Sequence, residues 1–461
     1  MAHNVNAGYK LPFAMNALFY VKDFRDRDFW PVAMSFLRRG HKVYYTTARR
    51  TPWCEVPSLQ ARHGFEIILT SDGVLVTKER LDWLSRLPGR PIIVELIFNN
   101  LHELVSRFVL DYPADSCERA NVFLAVMDGE LVSAAARCGV PEDRLIHLPY
   151  RLPQLQVTDP RYWVRRMGNR LFGMLEPGDL EAQERPIQRA LAVAAHVKSG
   201  LIPRPRTTEI TFLGECSISL DLPFLEWVRA RFIPTVPVAL LVETNGRIAV
   251  SFEGRPTRAF LGAARATWTE TLTISGAGDR QRFMALELLL DRCAHRFRTR
   301  RRRRFVEYLA SAFGKRLKLY GDDFVRLGLR ALPTDHGSTE YKYLTSKIAV
   351  DLGSKCYDCS LYTRSSRIVS CGALLLQFRQ DDAERTFGSL TAAVTFTEAE
   401  EMIARVEHFL SSPFDRRRTS SDVVSLASTG QGLDFVVDEL VARLCRRRTA
   451  PAAMTPGEHA G

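Results

Sequence analysis

The segment "MNALFYVKDFRDRDFWPVAMSFLRRGHKVYYTT", Met15 to Thr47, decides the fold class. Its first ten residues, "MNALFYVKDF", read as a buried first strand. Phe29, Val32, Ala33, Phe36 and Leu37 then recur at helical spacing, with Pro31 in the first turn and Gly40 where a C-terminal cap belongs. "KVYYTT" is rich in β-formers, so the chain opens strand, helix, strand, the start of a parallel α/β sheet. The pattern continues outward through "FEIILTS", "PIIVELIF", "NVFLAVM" and "RLIHLPYRLP". Between them "KERLDWLSRL" and "GELVSAAARCG" read as helices.

The chain has 461 residues, 46% hydrophobic and 25% charged, which fits a soluble globular protein with two domains, because single cores rarely exceed roughly 250–300 residues. No apolar run approaches the ~20 residues that span a bilayer, and the start lacks a secretory pattern, so a cytoplasmic location is expected. Nine unevenly spaced cysteines do not form a disulfide framework. A net charge of +12 points to an anionic partner: nucleic acid, acidic lipid headgroups or a nucleotide-linked substrate. Seven arginines crowd "RFRTRRRRRF", Arg296 to Phe305, and triplets recur at Arg416 to Arg418 and Arg446 to Arg448. Such runs are most simply solvated helix faces or frayed tails.

Composition divides the chain into a first Rossmann-like domain over 1–150, a helical connection and linker over 151–206 ending in "IPRPR", a second Rossmann-like domain over 207–446, and a disordered tail over 447–461. Within the second, "LPFLEWVRARF" reads as a helix. Asn245-Gly246 between two apolar runs predicts a β-hairpin, placed in an insertion over about 235–280. A long helix from about Arg280 to Phe313 follows, then "KRLKLYGDDF", "SKIAVDL", "ALLLQF" and "AAVTF" as strands, and finally "TEAEEMIARVEHFLSS" and "LDFVVDELVARLCRR" as helices. Ligands of open α/β sheets bind beyond the carboxyl ends of the strands, often at helix N-termini.

Candidate chemistry concentrates in "DCSLYTRSSRIVSCGALLLQF", Asp358 to Phe378. Ser360 and Thr363 suit an N-cap, Arg364 and Arg367 fall on neighbouring surface of one helix, and Gly372 permits a sharp exit into the strand. An arginine beside free helix N–H groups offers a phosphate a bidentate partner. No G-x-x-x-x-G-K-[ST] loop is present, which disfavours nucleoside triphosphate hydrolysis. Cys356 and Cys359 have the spacing of half a zinc or redox site, without a second such pair; the next cysteine is Cys371. Asp322 and Asp323 could hold a cation but suit a helix start better, and Asp26 and Asp28 favour the first helix dipole.

The order "FVEYLASAFGKRLKLYGDDF", "EYKYLTSKIAVDL", "TRSSRIVSCGALLLQFRQDDAERTF", "AVTFTEAEEMIARVEHFLSS" resembles the C-terminal domain of the CgeB-like spore maturation proteins, a branch of the group-1 glycosyltransferases with the GT-B fold. The likeness rests on Tyr320-Gly321, on Tyr343 through Ser346, Lys347 and Ile348, on the Arg364 to Gly372 spacing, and on the acidic segment before Phe387. It spans about Phe305 to Ser412, roughly a quarter of the chain, and the N-terminal helix and second strand are similar to those of many GT-B enzymes. The resemblance implies two Rossmann-like domains facing across a cleft. It also implies transfer of a sugar from a nucleotide-sugar donor to an acceptor hydroxyl on a glycan, lipid-linked or protein acceptor, without a cofactor or bound metal.

By that resemblance Tyr343, Lys347, Arg364, Arg367, Gly321 and Gly372 belong to the donor side, with Arg364 and Lys347 stabilising the leaving phosphate. An inverting enzyme would also need a base in the first domain, for which His41 and His63 are the candidates. One position departs from the family: Arg367 stands where a glutamate usually grips the ribose hydroxyls, and an arginine only donates. The departure leaves an unusual donor, a shifted acceptor such as Asp358, or a GT-B scaffold that has lost transfer activity and binds or regulates. A separate reading is an arginine-rich protein that holds nucleic acid or lies on acidic membrane. Nucleic acid is the less expected of these, since no zinc-finger spacing or RRM-like aromatic motif occurs.

Overall fold

The structure is a computed structural model that describes residues 14–22, 29–71, 75–97, 120–126, 129–147, 177–180, 206–216, 222–251, 257–334, 336, 339–353, 363–429, 437–438 and 440–442. The first half builds one sheet. Strand β1 (Asn16–Val21) leads through helix α1 (Phe29–Arg38) to β2 (Lys42–Thr47). Helix α2 (Val56–His63) precedes β3 (Ile67–Ser71), α3 (Lys78–Leu84) precedes β4 (Ile92–Ile97), and α4 (Gly129–Arg137) joins β5 (Val122–Val126) to β6 (Leu145–His147). The spatial order is β6-β5-β4-β3-β1-β2-β7, parallel except for the two-residue edge strand β7 (Gly178–Asp179), which runs antiparallel to β2. Gly40 adopts φ +81° after α1, as its cap position requires.

The second half builds a six-stranded, wholly parallel sheet from β8 (Thr208–Leu213), β9 (Leu317–Tyr320), β10 (Ala331–Leu332), β11 (Ser346–Asp351), β12 (Leu374–Phe378) and β13 (Thr395–Phe396). Its order, β10-β9-β8-β11-β12-β13, places the first three strands on one side and the next three on the other. That is the doubly wound Rossmann order, and the winding reverses between β8 and β11. Period-2 burial explains the two-sided covering: Ile210, Phe212, Ile348 and Val350 face one apolar cluster, Leu213, Ala349 and Leu375 the other. The expected fold class, two Rossmann-like α/β units, is what the two sheets show.

The crossover from β8 to β9 holds the insertion, and it is helical. Helices α5 (Leu222–Phe232), α6 (Val238–Ser251) and α7 (Thr257–Thr273) precede α8 (Asp279–Phe313). The expected hairpin at Asn245-Gly246 is therefore absent: both residues lie inside α6. Leu241, Thr244, Asn245 and Ile248 are buried at i, i+3, i+4 and i+7, a helical stripe that packs against α5, α7 and α8 and overrides the local turn signal. "AAVTF" is likewise shorter as a strand than expected, since Thr391–Val394 is a helical turn and only Thr395–Phe396 pairs.

Helix α8 has 35 residues and is about 52 Å long at 1.5 Å per residue. Its first half shares one apolar cluster with the first sheet, and its second half lies under the second sheet. Glu287 fixes the first contact, accepting from Arg137 of α4 at 2.9 Å and Arg265 of α7 at 2.7 Å. Beyond the second sheet, α9 (Thr363–Ser370) precedes β12, and α10 (Ala399–Ser411) and α11 (Pro413–Thr429) follow β13. Val437, Leu440 and Val441 return to the first sheet, packing with Ala33 and Phe36, and Asp438 pairs with Arg39. Composition places this segment with the second domain, and its described side chains pack on the first sheet.

The close approach of two strand ends gives a direct test of the second sheet. A Cβ on Gly321 would lie 2.2 Å from the Gly214 carbonyl oxygen and 2.6 Å from the Phe324 ring. Gly321→Ala is expected to lower unfolding stability by about 2–4 kcal/mol, measured by urea denaturation, whereas Gly246→Ala, in open space within α6, should raise it slightly.

Candidate functional site

The winding reverses between β8 and β11, the carboxyl-end position at which doubly wound sheets open a ligand crevice, and the loops that follow these two strands are tied by one side chain. Arg302 of α8, 3% exposed, donates from Nη1 to the Glu215 carbonyl at 3.2 Å and from Nη2 to the Gly353 carbonyl. Glu215 follows β8 and Gly353 follows β11. Gly353 takes φ +73°, a left-handed conformation that favours glycine, and a Cβ there would meet Gln380 Nε2 at 2.8 Å, so the Gln380 side chain would have to shift. On the β9 side, the Gly214 N–H donates to Tyr320 at 3.0 Å and the Gly321 N–H to Leu332 at 2.9 Å.

The arginine run that supplies Arg302 is only partly a solvated face. Counting back from Phe313, the buried stripe of α8 runs Leu309, Val306, Phe305, Arg302, Thr299 and Arg298, so two arginines occupy positions that the spacing assigns to the core. Arg301 lies 3.8 Å over the Phe378 ring, and Arg303 pairs with Glu307 at 2.8 Å. The stripe was present in the sequence; the charge of its members concealed it.

Asp351, the last residue of β11, is fully buried and anchors the next element. Its Oδ1 accepts from the Gly353 N–H at 3.0 Å and from Arg364 Nη1 at 3.2 Å, and its Oδ2 accepts from Ser365 Oγ at 2.6 Å. The first turn of α9 is thereby held at the carboxyl end of β11, beside the crevice. Tyr343 lies fully buried in this cluster, near enough to Arg364, Asp351 and Arg367 to feel their charges. Burial pushes its phenol well upward, opposed by the two arginines, and its hydroxyl has no hydrogen-bond partner among the described residues.

Of the residues expected on the donor side, the structure brings Arg364, Arg367 and Tyr343 together and sets Gly321 at the end of β9. Lys347 and Gly372 lie at the opposite end of the sheet. Lys347 is the second residue of β11 and pairs with Glu209 at 3.6 Å, alongside Arg316, whose hydrogen bond holds the Glu209 carboxyl below its usual range. Gly372, at φ +67°, closes α9 before β12. His41 and His63 stand at the amino ends of the first sheet. His41 is buried and accepts the Met15 N–H at 3.2 Å; burial holds its pKa below the ordinary 6.5, so it is packed as a neutral ring. His63 packs against Tyr44 and Phe65, and its carbonyl accepts from Asn16. Sequence reasoning missed Arg302 and Asp351.

Asp322 and Asp323 occupy a helix start, as expected, and serve neighbouring loops: Asp323 accepts the Cys216 N–H at 3.0 Å and Asp322 the Thr334 N–H at 3.2 Å. Among the described residues no group of three or more His, Cys, Asp or Glu is placed to hold a metal, and no helix is long and apolar enough to cross a membrane. Asp26, Asp28, Cys356, Asp358, Cys359, Ser360, Arg446 to Arg448 and the 447–461 tail lie outside the described residues.

No protein-family model matches the chain. No curated protein matches it either. Among solved structures it is similar to Anabaena Alr3699/HepE in complex with UDP and glucose, with a TM-score of 0.44 and 9% identity over 94% of this chain and 100% of that one. A glycosyltransferase from Rickettsia africae ESF-5 gives 0.42 and 8% over 95% and 100%. The UDP-forming α,α-trehalose-phosphate synthase from Burkholderia xenovorans gives 0.42 and 10% over 95% and 100%. At these values no residue role is carried across, and the site is read from this chain's own geometry.

Asp351 holds a helix whose first turn borders the crevice, which makes its charge measurable as stability. Asp351→Asn, which leaves Arg364 beside a neutral buried group, is expected to cost about 3–5 kcal/mol in urea unfolding. A loss below about 1 kcal/mol, the range of an exposed ion pair, would mean that the pair does not anchor α9.

Proposed function

We propose that the chain is a glycosyltransferase that takes a nucleotide-sugar donor at the carboxyl ends of β8 and β11 and passes the sugar to an acceptor hydroxyl. The observation that carries this reading is the coincidence of three features at one winding reversal: the glycines Gly214 and Gly353 in the loops after β8 and β11, the Arg302 tie between those loops, and Arg364 at the head of α9. Doubly wound sheets bind nucleotides at that location for a physical reason: loops diverge there and helix N-termini face the opening. The resemblance of residues 305–412 to the CgeB-like branch supports the donor class independently of the geometry.

Displacement of a nucleoside diphosphate places growing negative charge on the leaving phosphate. Fixed cations stabilise that charge more in the transition state than in the bound donor. Arg364 and Arg367, both only half-exposed or less, are the side chains of α9 suited to this task. Asp351 aligns Arg364 before the donor arrives, so little reorganisation is needed. Lys347, at the far end of the sheet, is left without that role.

A second reading is favoured by one specific observation. The position that grips ribose in the resembled family is Arg367, and the nearby Asp351 carboxylate already accepts from Gly353, Arg364 and Ser365. A scaffold that binds a nucleotide without transferring a sugar fits this arrangement. Nucleic-acid binding through the 296–304 run is not favoured, because Arg298 and Arg302 are buried and Arg301 stacks on Phe378.

A thermal-shift panel with UDP, GDP, dTDP, CMP and their sugars, with donor consumption followed in parallel, separates the readings. A ligand at a hundredfold excess over Kd stabilises by about 2.7 kcal/mol, so one nucleotide should raise Tm, and Arg364→Ala should lose that rise relative to its own ligand-free Tm. A shift with donor consumption is the expected outcome, a shift without it indicates the scaffold, and no shift with any nucleotide overturns the proposal.

A further inference from the structure

The three arginine-rich segments meet different fates. The first is drawn largely into α8, and the third lies outside the described residues. The second, Arg416 to Arg418, stays at the surface on the corner where α10 turns into α11. Phe414 stands there with 69% of its surface exposed, more than any other large hydrophobic side chain among the described residues. Arg416 turns inward and donates to the Phe409 carbonyl at 2.9 Å, whereas Arg417 and Arg418 are exposed. Phe414, Arg417 and Arg418 stand at i, i+3 and i+4 and therefore share one face of α11.

The corner lies at the amino-end side of the second sheet, away from the carboxyl-end crevice. Ser420 of α11 donates to the Gly372 carbonyl at 3.1 Å, just ahead of β12. Lys315 and Arg316 are exposed immediately ahead of β9, and Lys347 is half-buried on β11. Glu209 is shared between Arg316 and Lys347, and Asp415 is 3.7 Å from His408. Glu407 stands exposed one turn before the end of α10. Asp422, exposed on α11 at i+4 from Arg418, adds a further carboxylate, so Lys315, Arg316, Lys347, Arg416, Arg417 and Arg418 stand against Glu209, Glu407, Asp415 and Asp422, a cationic excess beside the exposed Phe414 ring.

We propose that this corner docks the protein on an anionic lipid surface, with Phe414 entering the headgroup layer and Arg417 and Arg418, on the same face of α11, standing over lipid phosphates. Charge complementarity selects an acidic surface. The exposed ring selects a bilayer over a soluble polyanion, because an aromatic side chain at a helix corner meets a plane, whereas single-stranded nucleic acid is held along a groove lined with several aromatic rings. The surface is distinct from the donor crevice and does not depend on the reading of that site.

Co-sedimentation of the full chain with vesicles tests it. The protein should bind mixed phosphatidylcholine and phosphatidylglycerol vesicles, not phosphatidylcholine alone, and binding should weaken as salt rises. Reversing Arg417→Glu with Arg418→Glu should lower the partition coefficient by at least about tenfold. Phe414→Ser should lower it about fivefold or more, and neither variant should shift Tm, since all three residues are exposed. No binding to the mixed vesicles at low salt would overturn the proposal. So would full retention by Phe414→Ser with complete competition by heparin, which would mark a soluble polyanion site. Loss of self-association in Phe414→Ser, without any vesicle binding, would instead assign the patch to a second copy of the chain.

Discussion

One guanidinium, that of Arg302, sets the geometry on which the rest of the second domain's carboxyl end depends. A buried arginine must place its donors on acceptors, and here two main-chain carbonyls from different loops receive them. The loops after β8 and β11 are the two lips of the winding reversal, so their separation is fixed by a side chain from the crossover helix instead of by either loop. That helix also carries Glu287, which binds Arg137 of the first domain. A single rigid rod therefore links the contact with the first sheet to the lips of the crevice, and a tilt of α8 would move both.

Around this tie the electrostatics are arranged in layers. Asp351 is buried beneath the crevice and organises the start of α9 by accepting from a backbone N–H, a hydroxyl and a guanidinium. Such a carboxylate holds cations in place and is poorly suited to bind a ligand hydroxyl as well, since it is fully buried and already accepts three hydrogen bonds. Arg364 and Arg367 are presented above it, with the Tyr343 ring packed among them. The proposed anion receptor is thus built on a buried carboxylate.

Much of this was legible in the sequence, for identifiable reasons. The strand and helix periods of residues 15–47 gave the first sheet, and the start and end of α8 were readable within a residue because apolar residues at helical spacing, Met284 to Leu290 and Phe305 to Phe313, mark its two ends. The Asn-Gly hairpin failed because a two-residue signal was outweighed by the buried stripe at Leu241, Thr244, Asn245 and Ile248. Lys347 lies at the amino end of β11, paired with Glu209, whereas Asp351 and Arg364 gather at its carboxyl end; residue order along a strand does not reveal which residues an end brings together. His41 and His63 likewise stand at the amino ends of the first sheet, packed among its side chains. Arg302 was invisible as a site residue because seven arginines in ten residues read as surface, and only the positions of Phe305, Val306, Leu309 and Phe313 show that it points inward.

The central claim is that the lips at Gly214–Cys216 and Leu352–Gly353, tied by Arg302, receive the nucleotide. Hydrogen–deuterium exchange of the intact chain, with and without a nucleoside diphosphate, measures this most directly. The account predicts slowed exchange confined to peptides covering those two loops and the first turn of α9. Protection centred instead on the first sheet, with the β8 and β11 loops unchanged, would contradict it.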